Sequence, residues 1–325
     1  MRQRPLRLIK LCSSKPEIFI IAGMNVRICG AGAIGTVVAW KLRSSAEVSL
    51  IVDEARAERY KDGLVINGER IVFPLLTPGM AAEAGPTDLL VFAVKNFSLD
   101  EAIEEARPFV SEGTAILPLL NGIEAEGKLA EAFGEEKVLY ALITRISAVH
   151  QGLETTCFSG SGIIIFGEKD NSRSERVEKL VRLFESAGQE CKVPENIHHD
   201  KWWKFMLNSC FNTLSAILNA DYASIYENRD FIRAVRIMAK EIQQVARCEG
   251  VILNQDDVEL MIQNVTSLHD HGKTSMLQDV LAGRQTENRY FAGAVSRLGK
   301  RHGVPTPVND VASILLEARR NVREY

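Results

Sequence analysis

Met24-Asn25-Val26-Arg27-Ile28-Cys29-Gly30-Ala31-Gly32-Ala33-Ile34-Gly35 opens with an apolar run and ends in a glycine-rich turn. From Ile34 to Arg43 apolar residues then recur at helical spacing, so the segment reads as strand, tight turn and helix. The turn matches the pattern G-x-G-x-x-G, which alone is a weak signal but gains weight from the strand before it and the helix after it. Gly30 permits the sharp turn, Gly32 lets backbone approach a pyrophosphate, and Gly35 lets helix pack on strand. Free N–H groups at the helix start would face the phosphate charge. Gly30, Ala31, Gly32, Ala33, Ile34 and Gly35 are therefore the expected dinucleotide cradle; the alternative is a glycine turn without a ligand.

Moving outward, Val48 to Val52 is a second apolar run, and with the intervening helix it completes a βαβ unit of roughly 30 residues. It ends at Asp53, about 20 residues past the glycines, where an acid accepts from both ribose hydroxyls. That placement favours NADH, because a 2′-phosphate would be repelled, although Arg56 three residues on could turn toward one. A strand-ending carboxylate facing water is the blander possibility for Asp53. Leu89 to Val94 and Ala115 to Leu119 read as further buried strands, separated by a helical stretch from Ser98 to Phe109. Ile143 to His150 and Gly162 to Gly167 follow as later strands joined by a Gly- and Ser-rich turn, and Ser174 to Ala187 as an amphipathic helix. The alternation predicts an α/β class with a Rossmann-type doubly wound sheet, and the first domain is expected to close near Pro194. Beyond it Lys201 to Leu218, Asp230 to Glu249 and Ser275 to Lys300 carry helical periodicity, broken by Gly250, Gly272, Pro305 and Pro307. The expected division is an extension over 1–23, a dinucleotide-binding domain over 24–194 and an all-helical substrate and catalytic domain over 195–325.

Bulk properties narrow the partners. A chain of 325 residues exceeds what one core usually serves. Apolar residues at 46% and charged residues at 25% fit a folded globular protein. The formal net charge of -3 gives no basic footprint for nucleic acid or an anionic membrane. No apolar run approaches the roughly 20 residues that cross a bilayer. The cysteines (Cys12, Cys29, Cys157, Cys191, Cys210, Cys248) show neither metal-ligand nor disulfide spacing, which fits a reducing compartment; no metal site is expected. Arg2, Arg4, Arg7, Lys10 and Lys15 crowd residues 1–23, whose only acid is Glu17. That stretch is either an extended start ahead of Met24 or an organellar targeting segment; otherwise a cytoplasmic location is expected.

Four further segments carry a family resemblance. They are Val94-Lys95-Asn96, Leu120-Asn121-Gly122, Trp203-Lys204 through Asn212, and Ser275-Met276-Leu277-Gln278-Asp279 with Gly283-Arg284-Gln285-Thr286-Glu287. With the glycine turn, their order and spacing over Met24 to about Arg301 resemble the ketopantoate reductases, or 2-dehydropantoate 2-reductases. The resemblance implies NADPH-linked reduction of 2-dehydropantoate to pantoate, a step toward pantothenate and coenzyme A, with a small 2-oxo acid as substrate. A homodimer is compatible with it.

Lys204, Asn208 and Asn212 are spaced by four, so about 40° of drift per step keeps them on one helical stripe. Such a stripe could hold an oxo acid, with amides on its oxygens and the lysine ammonium near the ketone as proton donor. A solvated helix face is the alternative. Glu287 resembles the family's glutamate beside substrate and cofactor, and Ser275 its serine on the substrate carboxylate. Lys95 and Asn121 each follow a predicted strand, where open α/β sheets bind ligands. The resemblance adds that Asn121 touches cofactor and substrate and that Ala148 lies near the nicotinamide.

Three positions depart from the family pattern. Asp53 stands where NADPH-using members carry arginine, while Tyr222 and Gly272 occupy places where a substrate-contacting asparagine is often found. A reductase of another small 2-oxo acid, and a noncatalytic dinucleotide sensor, are the competing functions. His198 and His199 are expected to be structural, and Trp202 and Trp203 to pack on the core or the domain seam.

Overall fold

The computed structural model describes residues 23–151, 155–268 and 270–321; residues 1–22, the greater part of the expected extension, lie outside the described residues. The sheet-bearing part runs β1 (Asn25–Cys29), α1 (Ala33–Leu42), β2 (Glu47–Ile51), α2 (Glu54–Tyr60), β3 (Leu64–Ile66), β4 (Glu69–Ile71), β5 (Leu75–Leu76), β6 (Leu89–Phe92), α3 (Leu99–Ala106), β7 (Ala115–Pro118), α4 (Ala125–Phe133), β8 (Tyr140–Gln151), β9 (Thr155–Gly167), α5 (Glu175–Ser186) and β10 (Cys191–Lys192). Five strands form a sheet in the order β5-β2-β1-β6-β7, every pairing parallel. Alternate residues feed opposite cores. Val26, Ile28, Leu89 and Val91 pack with Val38 and Leu42 of α1 on one face. Cys29, Leu90 and Phe92 pack with Ile103 of α3 and Leu129 of α4 on the other. Burial on both faces explains why these strands read as unbroken apolar runs rather than alternating ones, and it makes the sheet doubly wound.

The later strands do not extend that sheet. β8 and β9 pair antiparallel in a second sheet, in which β10, β9, β3 and β4 follow in order. The Gly- and Ser-rich stretch Ser159-Gly160-Ser161-Gly162, expected to join them, lies inside β9. Gly162 has φ +73°, and a Cβ on it would meet the Thr144 carbonyl at 2.6 Å. Close cross-strand approach, not a reversal of direction, therefore accounts for glycine there.

From Ile197 onward the described chain is helical: α6 (Ile197–Leu207), α7 (Thr213–Leu218), α8 (Tyr222–Glu227), α9 (Arg229–Cys248), α10 (Gln255–Thr266), α11 (Ser275–Leu281), α12 (Ala292–His302) and α13 (Pro307–Asn321). The longest, α9, starts on an Asn228 side chain that accepts from the Phe231 amide, and it buries Phe231, Val235, Met238, Ile242 and Val245 as one stripe. Its buried Glu241 accepts from the amides of Val308 (2.9 Å) and Asn309 (3.0 Å), so a carboxylate sits at the positive end of α13.

Two expected helices are broken. Lys201 to Leu218 is interrupted by a π turn at Asn208–Asn212 between α6 and α7. Ser275 to Lys300 stops after Leu281, where Gly283 takes φ +65°, and helix resumes at Ala292. Apolar spacing continued through both breaks, because each still packs on the same core, so periodicity did not reveal them.

Candidate active site

The glycine turn meets its geometric requirements residue by residue. Gly30 has φ +103°, and a Cβ there would lie 2.7 Å from the Ala93 carbonyl oxygen of the neighbouring strand end. A Cβ on Gly35 would fall 1.8 Å from the Gly30 carbonyl oxygen, so helix α1 can seat on β1 only with glycine. Gly32 differs: among the described residues nothing stands within 4 Å of its Cβ position. Its lack of a side chain serves no internal packing and leaves room for something to approach from outside. Gly32 is also the N-cap of α1, with no side chain bonded to the helix start. An open, uncapped helix N-terminus fits a pyrophosphate.

Gly30 to Ile34 line one end of a continuous cleft of about 1540 Å³ between the parallel sheet and the helical region. Lys95, Asn121 and Ala148 line the same cleft from the sheet side, and Lys204, Asn208, Asn212, Ser275 and Glu287 from the helical side. Gly35 supports the turn from behind. Asp53 sits at the end of β2 as the N-cap of α2, accepting from the Arg56 amide at 2.6 Å and pairing with its guanidinium at 3.2 Å. Arg56 also lies 3.7 Å from Glu105, so its charge is held between two acids at the cleft edge. Asp53, Glu101 and Glu105 gather closely there. Burial raises the Glu105 pKa, and Glu101 and Asp53 add to the rise while Arg56 opposes it.

The two halves of the cleft are joined by a hydrogen-bonded cluster around Glu287, which is buried. Its Oε1 accepts from the Asn96 backbone amide at 3.1 Å and from the Asn96 side-chain amide at 2.8 Å. Its Oε2 lies 3.5 Å from both Lys95 Nζ and Asn121 Nδ2. Asn96 also donates to the Asn121 carbonyl at 2.9 Å, tying the ends of β6 and β7 together. Lys95 in turn pairs with Asp279 of α11 at 3.0 Å, and Arg284 donates to the same carboxylate at 2.9 Å. Burial disfavours charge on Lys95, but Glu287 and Asp279 outweigh it and hold its pKa above the ordinary lysine value.

Lys204 crosses from α6 to β8, where its Nζ donates to the Ile143 carbonyl. Burial lowers its pKa to about 7; Lys201 pushes the same way, and Glu287 pushes back. Lys201 is itself buried and bonded to Glu126 and the Ala141 carbonyl. Asn208 reaches Asn121 Oδ1 at 3.4 Å, and Asn212 reaches Ser275 Oγ at 3.5 Å. The π turn carries both amides, and such turns widen the helix so that successive side chains can face a site.

Asn96, Asp279 and Lys201 were not singled out from sequence as site residues. Asn96 stands beside Lys95 in a segment that carries the family resemblance, but nothing local shows an amide aimed 191 residues along the chain. The aromatic and histidine residues sort themselves by position. Trp202 is buried edge-on to Phe205, with ring centroids 5.4 Å apart, and Trp203 donates to the Asp257 carbonyl at 3.0 Å beside the cleft. His198 bonds the Lys169 carbonyl at 2.6 Å, and His199 lies 3.1 Å from Asp257 at the cleft rim.

The sequence model described as ketopantoate reductase PanE/ApbA matches residues 26–171, and that of the ketopantoate reductase PanE/ApbA C terminal part matches 196–320. A 2-dehydropantoate 2-reductase of Pyrococcus horikoshii is 30% identical over 302 residues, covering 92% of this chain and 98% of that one. An uncharacterized oxidoreductase, YkpB, of Bacillus subtilis is 30% identical over 290 residues, covering 88% and 95%. Among solved structures, a ternary D-mandelate dehydrogenase with NADH and anilino(oxo)acetate superposes with a TM-score of 0.83 at 26% identity, covering 92% of this chain and 98% of that one. With two matching models that together span most of its length, the chain belongs to the ketopantoate reductase family of oxidoreductases.

Proposed function

We propose that the protein uses NADH or NADPH to reduce 2-dehydropantoate to pantoate, the step toward pantothenate that its family name denotes. The observation that carries this reading is Lys204, a half-buried amine with a pKa near 7 in the same cleft as the glycine turn. When bound, the nicotinamide supplies a hydride to C2 of the oxo acid. Negative charge then develops on the carbonyl oxygen, where the Lys204 ammonium stabilises it and delivers its proton. Asn208 and Asn212 each use one side-chain N–H on a protein partner and keep a second to offer a substrate oxygen, with Ser275 completing the carboxylate end. Glu287, fixed by Asn96, accepts from a substrate hydroxyl or orients Lys204. Residues 24–194 serve the cofactor in this scheme, and 195–325 hold substrate and proton donor.

A second reading, reduction of a different 2-oxo acid, is favoured by Tyr222 and Gly272 in the cleft wall and by the fold's likeness to a D-mandelate dehydrogenase bound to an oxoacetate. The test is turnover of purified protein with 2-dehydropantoate and each cofactor, followed at the nicotinamide absorbance. Lys204→Ala should lower the rate by about 10²- to 10⁴-fold while leaving cofactor affinity near its starting value. Absence of turnover with either cofactor would reject 2-dehydropantoate as the substrate.

A further inference from the structure

Tyr222 and Gly272, separated by 50 positions, form one unit in the cleft wall. The Tyr222 amide donates to the Gly272 carbonyl at 3.0 Å, and the next amide, of Ala223, donates to the Asp270 carbonyl at 2.9 Å. A Cβ on Gly272 would lie 2.7 Å from Asp270 Oδ1, and 3.0 Å and 3.2 Å from two carbons of the Tyr222 ring. Gly272 does not have the positive φ that would call for glycine, so its bare Cα answers to two neighbours, the Tyr222 ring and the Asp270 carboxylate that accepts from the Gly272 amide at 2.9 Å. Tyr222 and Gly272 thus pack as one unit: the ring lies against a Cα that leaves space for it.

The unit lies next to the polar row already described. Gly272 is three residues before Ser275, whose hydroxyl receives the Asn212 amide, and Ser215 bonds Thr274 at 2.6 Å to fix that loop onto α7. Tyr222, Gly272, Phe211, Leu260, Val265 and Leu268 all line the cleft on this side. Leu260 is 49% exposed and Leu268 41%, so among the described residues apolar surface stands open at the wall. Burial, with Asp270 nearby, raises the phenol pKa of Tyr222, so the ring meets the cleft uncharged.

Resting on the second reading above, reduction of a 2-oxo acid other than 2-dehydropantoate, we propose that the Tyr222 ring seated on Gly272 is the side-chain wall of the substrate site. It selects 2-oxo acids with an apolar branched or aromatic side chain over those with a hydroxyl at that end. The physical basis is asymmetric. A site that hydrogen-bonds a substrate hydroxyl rejects the analogue lacking it, because its own polar groups are left unpaired, whereas an apolar wall leaves the hydroxyl without a partner.

A matched substrate pair isolates this: trimethylpyruvate is 2-dehydropantoate without the hydroxyl, and phenylglyoxylate adds an aromatic member. The intact protein should turn over trimethylpyruvate and phenylglyoxylate with kcat/KM about tenfold or more above that for 2-dehydropantoate. Tyr222→Phe should keep the preference within about twofold, since the ring is retained. The double variant Tyr222→Asn with Gly272→Asn should shift the ratio toward 2-dehydropantoate by about tenfold, and Tyr222→Leu checks that a folded protein with an apolar wall still favours trimethylpyruvate. Preference for 2-dehydropantoate in the intact protein, reversal by Tyr222→Phe, or a ratio unmoved by the double variant would each overturn the proposal. Failure of all three substrates with cofactor binding intact would sink the assignment of oxo-acid reduction itself, and the wall with it.

Discussion

The glycine turn and the Lys204 wall face each other across one cleft, yet they are built in opposite ways. The turn is contiguous and made of backbone: Gly30 and Gly35 are required by atoms 1.8 to 2.7 Å from where a Cβ would be, all supplied by the turn and the adjoining strand end. The wall is assembled from side chains that lie far apart in sequence, with Lys204 held on Ile143, Asn208 on Asn121, Asn212 on Ser275 and Glu287 on Asn96. A backbone site tolerates almost no change at its key positions but is insensitive to protonation. A side-chain site is the reverse, since its members can be exchanged without unfolding and its lysine titrates in the working range.

The largest effect should come from a methyl group added to the turn. Gly35→Ala forces a Cβ against the Gly30 carbonyl, and overpacking of that kind costs about 3 kcal/mol or more when backbone must move. Thermal unfolding should register it as a midpoint lowered by about 6 °C or more. Gly32→Ala has open space around its Cβ position, so its midpoint should change little while affinity for the dinucleotide falls. If the two variants proved equally stable and bound cofactor equally well, the division between packing glycine and approach glycine would be wrong.

How legible each region was follows from the same contrast. Gly30 to Gly35 could be read because strand, turn and helix are local and the motif's demands are backbone demands. The parallel sheet was legible for a related reason: strands buried on both faces, such as Leu89–Phe92, stand out as apolar runs. β8 and β9 were legible as strands but β9 begins at Thr155 rather than Gly162, since glycine inside a strand looks like a turn until its cross-strand neighbour is known. The π turn at Asn208–Asn212 and the break before Glu287 left no trace in apolar spacing. For Lys204 and Glu287 it was family resemblance, not periodicity, that raised them above a solvated helix face. Asn96 and Lys201 act through partners 191 and 75 positions away, and no local signal marks such pairs.

Protonation separates the regions next. With Lys204 near pKa 7, the ammonium that donates the proton is present below that pH and lost above it. The kcat/KM for oxo-acid reduction should therefore be level in acid and fall by up to about tenfold per unit above about pH 7. Oxidation of the hydroxy acid needs the neutral amine and should rise through the same pH. Cofactor binding at the backbone turn should not follow this titration. A reduction profile level from about pH 6 to about pH 9 would move the proton donor away from Lys204.

The smallest effect concerns the edge of the turn, where side chains do enter the cofactor side. Asp53 pairs with Arg56 and, with Glu101 and Glu105 beside it, makes the end of β2 acidic. NADPH would bring a 2′-phosphate, with charge of about -2, into that field, while NADH brings only ribose hydroxyls that a carboxylate can accept. Asp53→Ala removes one acid and frees Arg56 from its nearer partner, at the expense of a helix cap worth about 1 kcal/mol. Because Glu105 still holds Arg56 and the site is partly open to solvent, the gain should be modest. The ratio of kcat/KM with NADPH to that with NADH should rise by about three- to tenfold, a range set by 0.7 to 1.4 kcal/mol at about 25 °C. Removing Glu105 as well, by Glu105→Gln, should enlarge the shift, because Arg56 would then face the phosphate unopposed. An unchanged ratio in both variants would place the ribose away from Asp53 and leave the turn a purely backbone site.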